Sequence, residues 1–130
     1  MIATEYFNFK QKPTPVKKLL ITINTAPTPD TETLEFVLAM LAFDHEVRLT
    51  FIGDGIFWLI TNQQARKPAG KSPQKLIAAL EMYGCEHITY FENQLTARGL
   101  ATTNINQSAT SLSEEAYASW QADADHCMVL

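Results

Sequence analysis

Cys85 and Cys127 are the two side chains of this 130-residue sequence best suited to covalent chemistry. A thiol reacts as its thiolate, which needs a helix N-terminus or a neighbouring cation to hold it. Cys85 follows a helical pattern that closes on Gly84, where the helix dipole disfavours an anion. It also enters a strand pattern at the end opposite the ligand crevice of an open α/β sheet. Cys127 opens the apolar run Cys127 to Leu130, beside His126. Neighbouring residues on a strand point to opposite faces, so the imidazole bears on the thiol only where that strand ends at the surface. Both cysteines are candidates for catalysis, set against the commoner role of a small, buried, inert residue.

A second candidate centre is Gly53-Asp54-Gly55. Val47, Leu49 and Phe51 alternate at period two before it, and the glycines supply turn geometry after it. In an open α/β sheet a loop leaving the carboxyl end of a strand faces the ligand crevice, which makes Thr25, Gly53, Asp54 and Gly55 candidate binding residues. Neither a P-loop nor a Gly-x-Gly-x-x-Gly fingerprint follows any strand, and His45, His87 and His126 are scattered, so neither nucleotide, metal nor other cofactor is expected.

The elements that hold these residues follow from periodicity. Lys17 to Asn24 runs from charge into nearly continuous apolar residues, as a strand buried on both faces does. Thr28 with Pro29, or Asp30, is placed to cap a helix over Thr31 to Phe43. There Leu34, Val37, Leu38 and Leu41 form one stripe, while Phe36, Met40 and Phe43 make the other side apolar as well. A helix apolar almost all round is covered on both sides, which points to a subunit interface. The run Ile56 to Ile60 is too short to span a membrane and also needs protein cover. Phe36, Met40, Phe57 and Trp58 are therefore candidate interface residues.

Ser72-Pro73 sets an N-cap and a first-turn proline for a helix carrying Leu76, Ala79, Leu80 and Tyr83 inward. His87 to Phe91 reads as a strand, Asn93 to Arg98 as a short helix, and Thr102 to Ile105 as a brief strand. Ser111 to Glu114 has the form of a capping box for a helix with Leu112, Ala116 and Trp120 on one face. Strand patterns alternating with helical ones predict an α/β fold, a three-layer α/β/α sandwich on a parallel sheet of about five strands. Residues 1–16 form an N-terminal extension and 17–130 a single domain.

The composition, 46% hydrophobic, gives one domain with a real core. A net charge of -4 with ten Lys and Arg spread along the chain argues against a stand-alone nucleic-acid binder, and Arg66, Lys67 and Lys71 make only a small cationic patch. With two cysteines, no leader pattern and no membrane span, a cytoplasmic protein is expected.

Three segments carry a resemblance. Ile21 to Pro27 (Ile-Thr-Ile-Asn-Thr-Ala-Pro) is similar to the first strand of the DsrE/DsrF-like sulfur-relay family, which ends in Ser/Thr-Ala-Pro. Phe51 to Phe57 resembles its strand followed by Asp-Gly-Val/Ile-Phe, and Leu95 to Leu100 its Leu-x-x-Arg-Gly-Leu segment. The likeness is nearest to the DsrF/TusC branch and runs from about Lys17 to Leu130.

That resemblance implies hexamers that pass persulfide sulfur between proteins, toward 2-thiolation of the wobble uridine of certain tRNAs in one branch and sulfur oxidation in another. The family's carrier cysteine stands eight residues before the glycine of the Arg-Gly segment, which here is Phe91. Phenylalanine holds no persulfide. The chain is therefore expected to be a non-catalytic subunit among homologous small subunits, with a sulfur donor protein as a further partner. Two alternatives stand beside it: a sulfurtransferase using Cys127 or Cys85 directly, and a stand-alone homo-oligomeric small-molecule-binding protein.

Overall fold

The two longest strands form the middle of the sheet. Strand β1 (Lys18–Ile23) and strand β2 (Glu46–Phe51) pair in parallel, from Lys18 opposite Glu46 to Ile23 opposite Phe51. The computed structural model describes residues 16–63, 65, 68 and 70–130. The N-terminal extension up to residue 15, with Tyr6, Phe7 and Phe9, and the cations Arg66 and Lys67 lie outside them.

Around that pair the chain adds α1 (Glu32–Ala42), a 3-10 helix (Gly53–Leu59), α2 (Pro73–Met82), β3 (His87–Tyr90) and α3 (Glu92–Ala97). A second 3-10 helix (Thr102–Asn104), β4 (Thr110–Ser111), α4 (Glu114–Asp123) and β5 (His126–Val129) follow. The sheet order is β4-β3-β2-β1-β5, and every neighbouring pair is parallel. This is the α/β fold with five parallel strands that the alternation of patterns predicts.

Strand alternation divides the side chains between two faces. On one, Leu19, Ile21 and Ile23 of β1, Val47, Leu49 and Phe51 of β2, and Ile88 and Tyr90 of β3 join Leu34, Val37 and Leu41 of α1 and Leu76, Ile77 and Leu80 of α2 in a single apolar core. On the other, the in-register row Thr22, Thr50 and Thr89 is buried. Its hydroxyls are paired: Thr22 with the Tyr117 hydroxyl at 2.8 Å, Thr50 with Thr89 at 3.0 Å, and Thr89 donating to the Leu49 carbonyl at 2.8 Å. Helix α4 covers this face, with Trp120 edge-on to His87 and beneath the Arg48 guanidinium.

Local chemistry sets the element ends. The Ser72 hydroxyl accepts from the Lys75 N–H at 3.2 Å, and Pro73 opens α2 as expected. Tyr83, however, is exposed, because α2 ends at Met82 and Ile77 takes the inward place. Helix α1 starts after Thr31 without a side-chain cap, since the Thr28 hydroxyl bonds the Asp30 carbonyl instead. Ser113, rather than Ser111, caps α4, accepting from Ala116 N–H at 3.1 Å. The expected strand over Thr102 to Ile105 is the second 3-10 helix, since the Asn104 side chain accepts from the Ala101 N–H at 2.8 Å and winds the backbone up.

The run Ile56 to Ile60 finds its cover inside the chain. Ile56, Trp58 and Leu59 are all in the core, and Trp58 is only 1% exposed, with its indole N–H on the Thr25 carbonyl at 2.9 Å. Trp58 is thus a core residue and not available to another subunit. Gly55 makes this possible: a Cβ there would collide with the Ile23 carbonyl oxygen. Gly55→Ala is expected to destabilise the protein by about 1–3 kcal/mol, as overpacking against backbone does, read as a lower urea midpoint at unchanged slope.

Candidate functional site

The loops leaving the carboxyl ends of β1, β2 and β3 lie side by side because those strands are neighbours. They carry Thr25, Gly53-Asp54-Gly55 and Phe91 respectively. Each is pinned by a partner far away in sequence. The Gly53 N–H donates to the Gln94 side-chain oxygen at 2.7 Å, and Arg98 Nη2 donates to Asp54 Oδ1 at 3.3 Å. Gln94 and Arg98 are four residues apart on and just beyond α3, so both face the loop. The Arg98 Nη1 also reaches the Gln94 carbonyl at 3.4 Å.

Gly53 adopts a positive φ of 54°, a conformation that favours glycine. Its neighbour Asp54 projects outward and remains largely exposed beside Arg98. A pair so wet contributes at most about 1 kcal/mol. Its effect is to orient: it fixes the loop against α3 and holds a carboxylate and a guanidinium together at the crevice.

Phe91 directly follows β3 and stands at the N-cap position of α3. Its ring meets Tyr117 edge-on, with centroids 5.4 Å apart and planes at 74°. Tyr117 in turn bonds Thr22 across the sheet face. Sequence periodicity leaves Gln94 and Tyr117 unmarked as site residues. The spacing of Gln94 to Arg98 is the one signal that could have raised the first, whereas Tyr117 meets Thr22 and Phe91 only through the long crossover to α4.

The two thiols differ sharply. Cys85 is buried beneath β2, its Sγ 3.7 Å from the Val47 carbonyl and 3.6 Å from that of His87. Burial pushes its thiol up to about 11 from an ordinary 9.0, with Glu81 and Glu86 adding to the rise and the backbone bond at His87 opposing it. Buried and raised in this way, the Cys85 thiol has neither the exposure nor the stabilised thiolate that a nucleophile needs. Cys127 is exposed on β5, its Sγ 3.9 Å from the Gln121 carbonyl. It lies opposite Leu20 in the ladder while His126 lies opposite Leu19, so thiol and imidazole point to opposite faces.

Of the candidate interface residues, Phe36 is 37% exposed and Met40 and Phe57 are half-buried. A hollow of about 440 Å³ lies elsewhere, lined by Thr61, Gln74, Thr102, Asn106 and Ser108 among others. Its amides are largely occupied by the loop's own bonds, Gln74 accepting from Asn62 N–H and Asn106 from Ser108 N–H. Among the described residues no group of three His, Cys, Asp or Glu is arranged to hold a metal ion, and no helix is long and apolar enough to cross a membrane.

Comparison with known proteins matches residues 17–130 to the model of the DsrE/DsrF-like family. A protein named TusC homolog in Aliivibrio fischeri is 28% identical over 98 residues, covering 75% of this chain and 83% of the relative. Another, in Pseudomonas aeruginosa, is 32% identical over 85 residues, covering 65% and 71%. Among solved structures, the ychN protein from E. coli superposes with a TM-score of 0.76 at 18% identity, covering 88% of this chain and all of that one (100%). A protein of unknown function from Methanobacterium thermoautotrophicum gives 0.62 at 13% identity, covering 86% and 98%. At these identities the structural likeness is one of fold alone.

The contrast between the thiols predicts a labelling result. Under native conditions near neutral pH, iodoacetamide modifies Cys127 and spares Cys85, and both react once the chain is unfolded in urea; rapid native labelling of Cys85 would contradict its placement. Because the folded Cys85 thiol keeps its proton up to about pH 11 while the unfolded one ionises near 9.0, its contribution to stability is complete below pH 9 and lost as pH climbs toward 11.

Proposed function

Since the chain belongs to the DsrE/DsrF-like family, and within it to the DsrF/TusC branch, we propose that it is a non-catalytic subunit of a cytoplasmic sulfur-relay complex. It assembles with homologous small subunits, one of which carries the persulfide that a sulfur donor protein loads. The end product of the relay is sulfur delivered for 2-thiolation of the wobble uridine in tRNA.

The observation that carries this reading is Phe91. The position at which the family's relay members hold their carrier cysteine is filled by a ring packed edge-on against Tyr117. No thiol replaces it: Cys85 is buried and Cys127 lies on β5, beyond β1 from the crevice. What the crevice does offer is a fixed surface, with the Asp54–Arg98 pair braced on α3 and presented outward. Such a surface suits docking of a partner loop more than covalent chemistry. Phe36, Met40 and Phe57 supply apolar area for contacts with other subunits.

Native mass spectrometry of the tagged chain purified from its own cells tests this. The expected result is release with at least one homologous small chain, with the added mass of sulfur on a partner that has cysteine at the position of Phe91. Release of this chain without partners, or with added sulfur on its own Cys127, overturns the proposal.

A further inference from the structure

Two hollows adjoin along the segment from Thr102 to Gln107. One, of about 440 Å³, also takes in Thr61 and Gln74, and the other, of about 320 Å³, also takes in Tyr90. Thr102, Thr103, Ile105, Asn106 and Gln107 line both, and every residue that lines either one is a described residue. Volumes of this size fall within the roughly 300–1,000 Å³ of small-molecule sites.

The shared segment is a fixed wall. Ile105 is buried in the core and bridges Ile60 in antiparallel fashion. The Thr61 N–H donates to the Asn104 carbonyl at 3.0 Å, and the Asn106 N–H to the Leu59 carbonyl at 2.8 Å. A wall held by its own backbone is set before any ligand arrives.

What this wall presents is polar and uncharged. Tyr90 is only 4% exposed, yet its hydroxyl has no hydrogen-bond partner among the described residues, and its side chain lines the smaller hollow. A buried hydroxyl ordinarily has a partner, so this one points to a ligand. Burial, with the Glu92 carboxylate adding, raises its pKa and keeps it a donor. The bonds from Asn62 and Ser108 use the side-chain oxygens of Gln74 and Asn106 and leave the two NH2 groups as further donors. The Thr102 and Thr103 hydroxyls are also without partners among the described residues.

Charge narrows the ligand. No Lys, Arg or His lines either hollow, while Glu81 accepts from Ser108 and Glu92 stands near Tyr90. That field disfavours phosphates and carboxylates. No carboxylate lines the hollows to hold a cation, and the Tyr90 ring is packed in the core, so no aromatic face is left on which a base could stack.

We propose that the adjoining hollows bind the neutral, hydroxyl-rich ring of a sugar. Its oxygens accept from the Tyr90 hydroxyl and from the Gln74 and Asn106 NH2 groups, and its hydroxyls exchange hydrogen bonds with Thr102 and Thr103. A free sugar and the ribose of a nucleoside share this chemistry.

NMR titration of the nitrogen-labelled full chain with D-glucose, uridine and uracil, each separately, tests the proposal. The expected result is a saturable shift of the Gln74 and Asn106 side-chain NH2 signals at millimolar ligand. A response to glucose assigns a free sugar, and a response to uridine without one to glucose or uracil assigns a nucleoside. Tyr90→Phe and Thr103→Val each remove an unpartnered hydroxyl and leave folding unchanged by circular dichroism. Each weakens binding about fivefold, the worth of one neutral hydrogen bond. No saturable shift with glucose or uridine, an equal response to uracil, or an affinity unchanged in either variant overturns the proposal. These readings use the chain alone, with no donor or acceptor of sulfur, so they stand apart from the relay assignment.

Discussion

The close approach of Gly55 to the last carbonyl of β1 is the contact on which the rest of the site depends. No side chain fits between them, so the turn after β2 folds directly onto the end of β1, and the Ile52 N–H completes the join by bonding the same Ile23 carbonyl at 2.9 Å. From that weld the 3-10 helix is driven into the core. Trp58 reaches back to the Thr25 carbonyl, and Asp54 is turned outward to meet Arg98. The crevice loop is therefore held by a backbone contact beneath it and the hydrogen bonds of α3 above it.

The two faces of the sheet answer different demands. One is a continuous apolar core under α1 and α2, which supplies the burial that drives folding. The other carries a row of buried threonines whose hydroxyls are all paired, under a single helix that has no fully buried residue of its own. Buried hydroxyls that are satisfied cost little and fix partners in place. Tyr117 links this row to Phe91, so the aromatic residue between β3 and α3 is held from the side of the sheet opposite α1 and α2. At the end of β3 the crevice thus presents an aromatic ring braced by Tyr117.

How much of this could be read from sequence varies with the range of the interaction. β1, β2 and the capped start of α2 are legible because their signals are local: apolar runs buried on both faces, and Ser72-Pro73 with its geometry built in. The run Ile56 to Ile60 is legible as something that must be covered, but hydrophobicity does not say by what, and the cover is the chain's own core. Thr102 to Ile105 is β-branched at three of its four positions, yet one asparagine side chain tips it into a 3-10 turn. β4 is too short to show a period, and Gln94 and Tyr117 act through contacts that only the assembled sheet creates. The position of Phe91 between β3 and α3, by contrast, follows directly from the order of patterns.

The central claim is that this chain supports sulfur transfer without a thiol of its own. The direct measurement is transfer of labelled sulfur to the acceptor through the reconstituted complex when this subunit carries both Cys85→Ser and Cys127→Ser. The account predicts a rate within about twofold of wild type, the size of change that a small, non-catalytic packing difference leaves in a barrier. Loss of transfer to background, with persulfide trapped on Cys127 of the wild-type subunit, would contradict it.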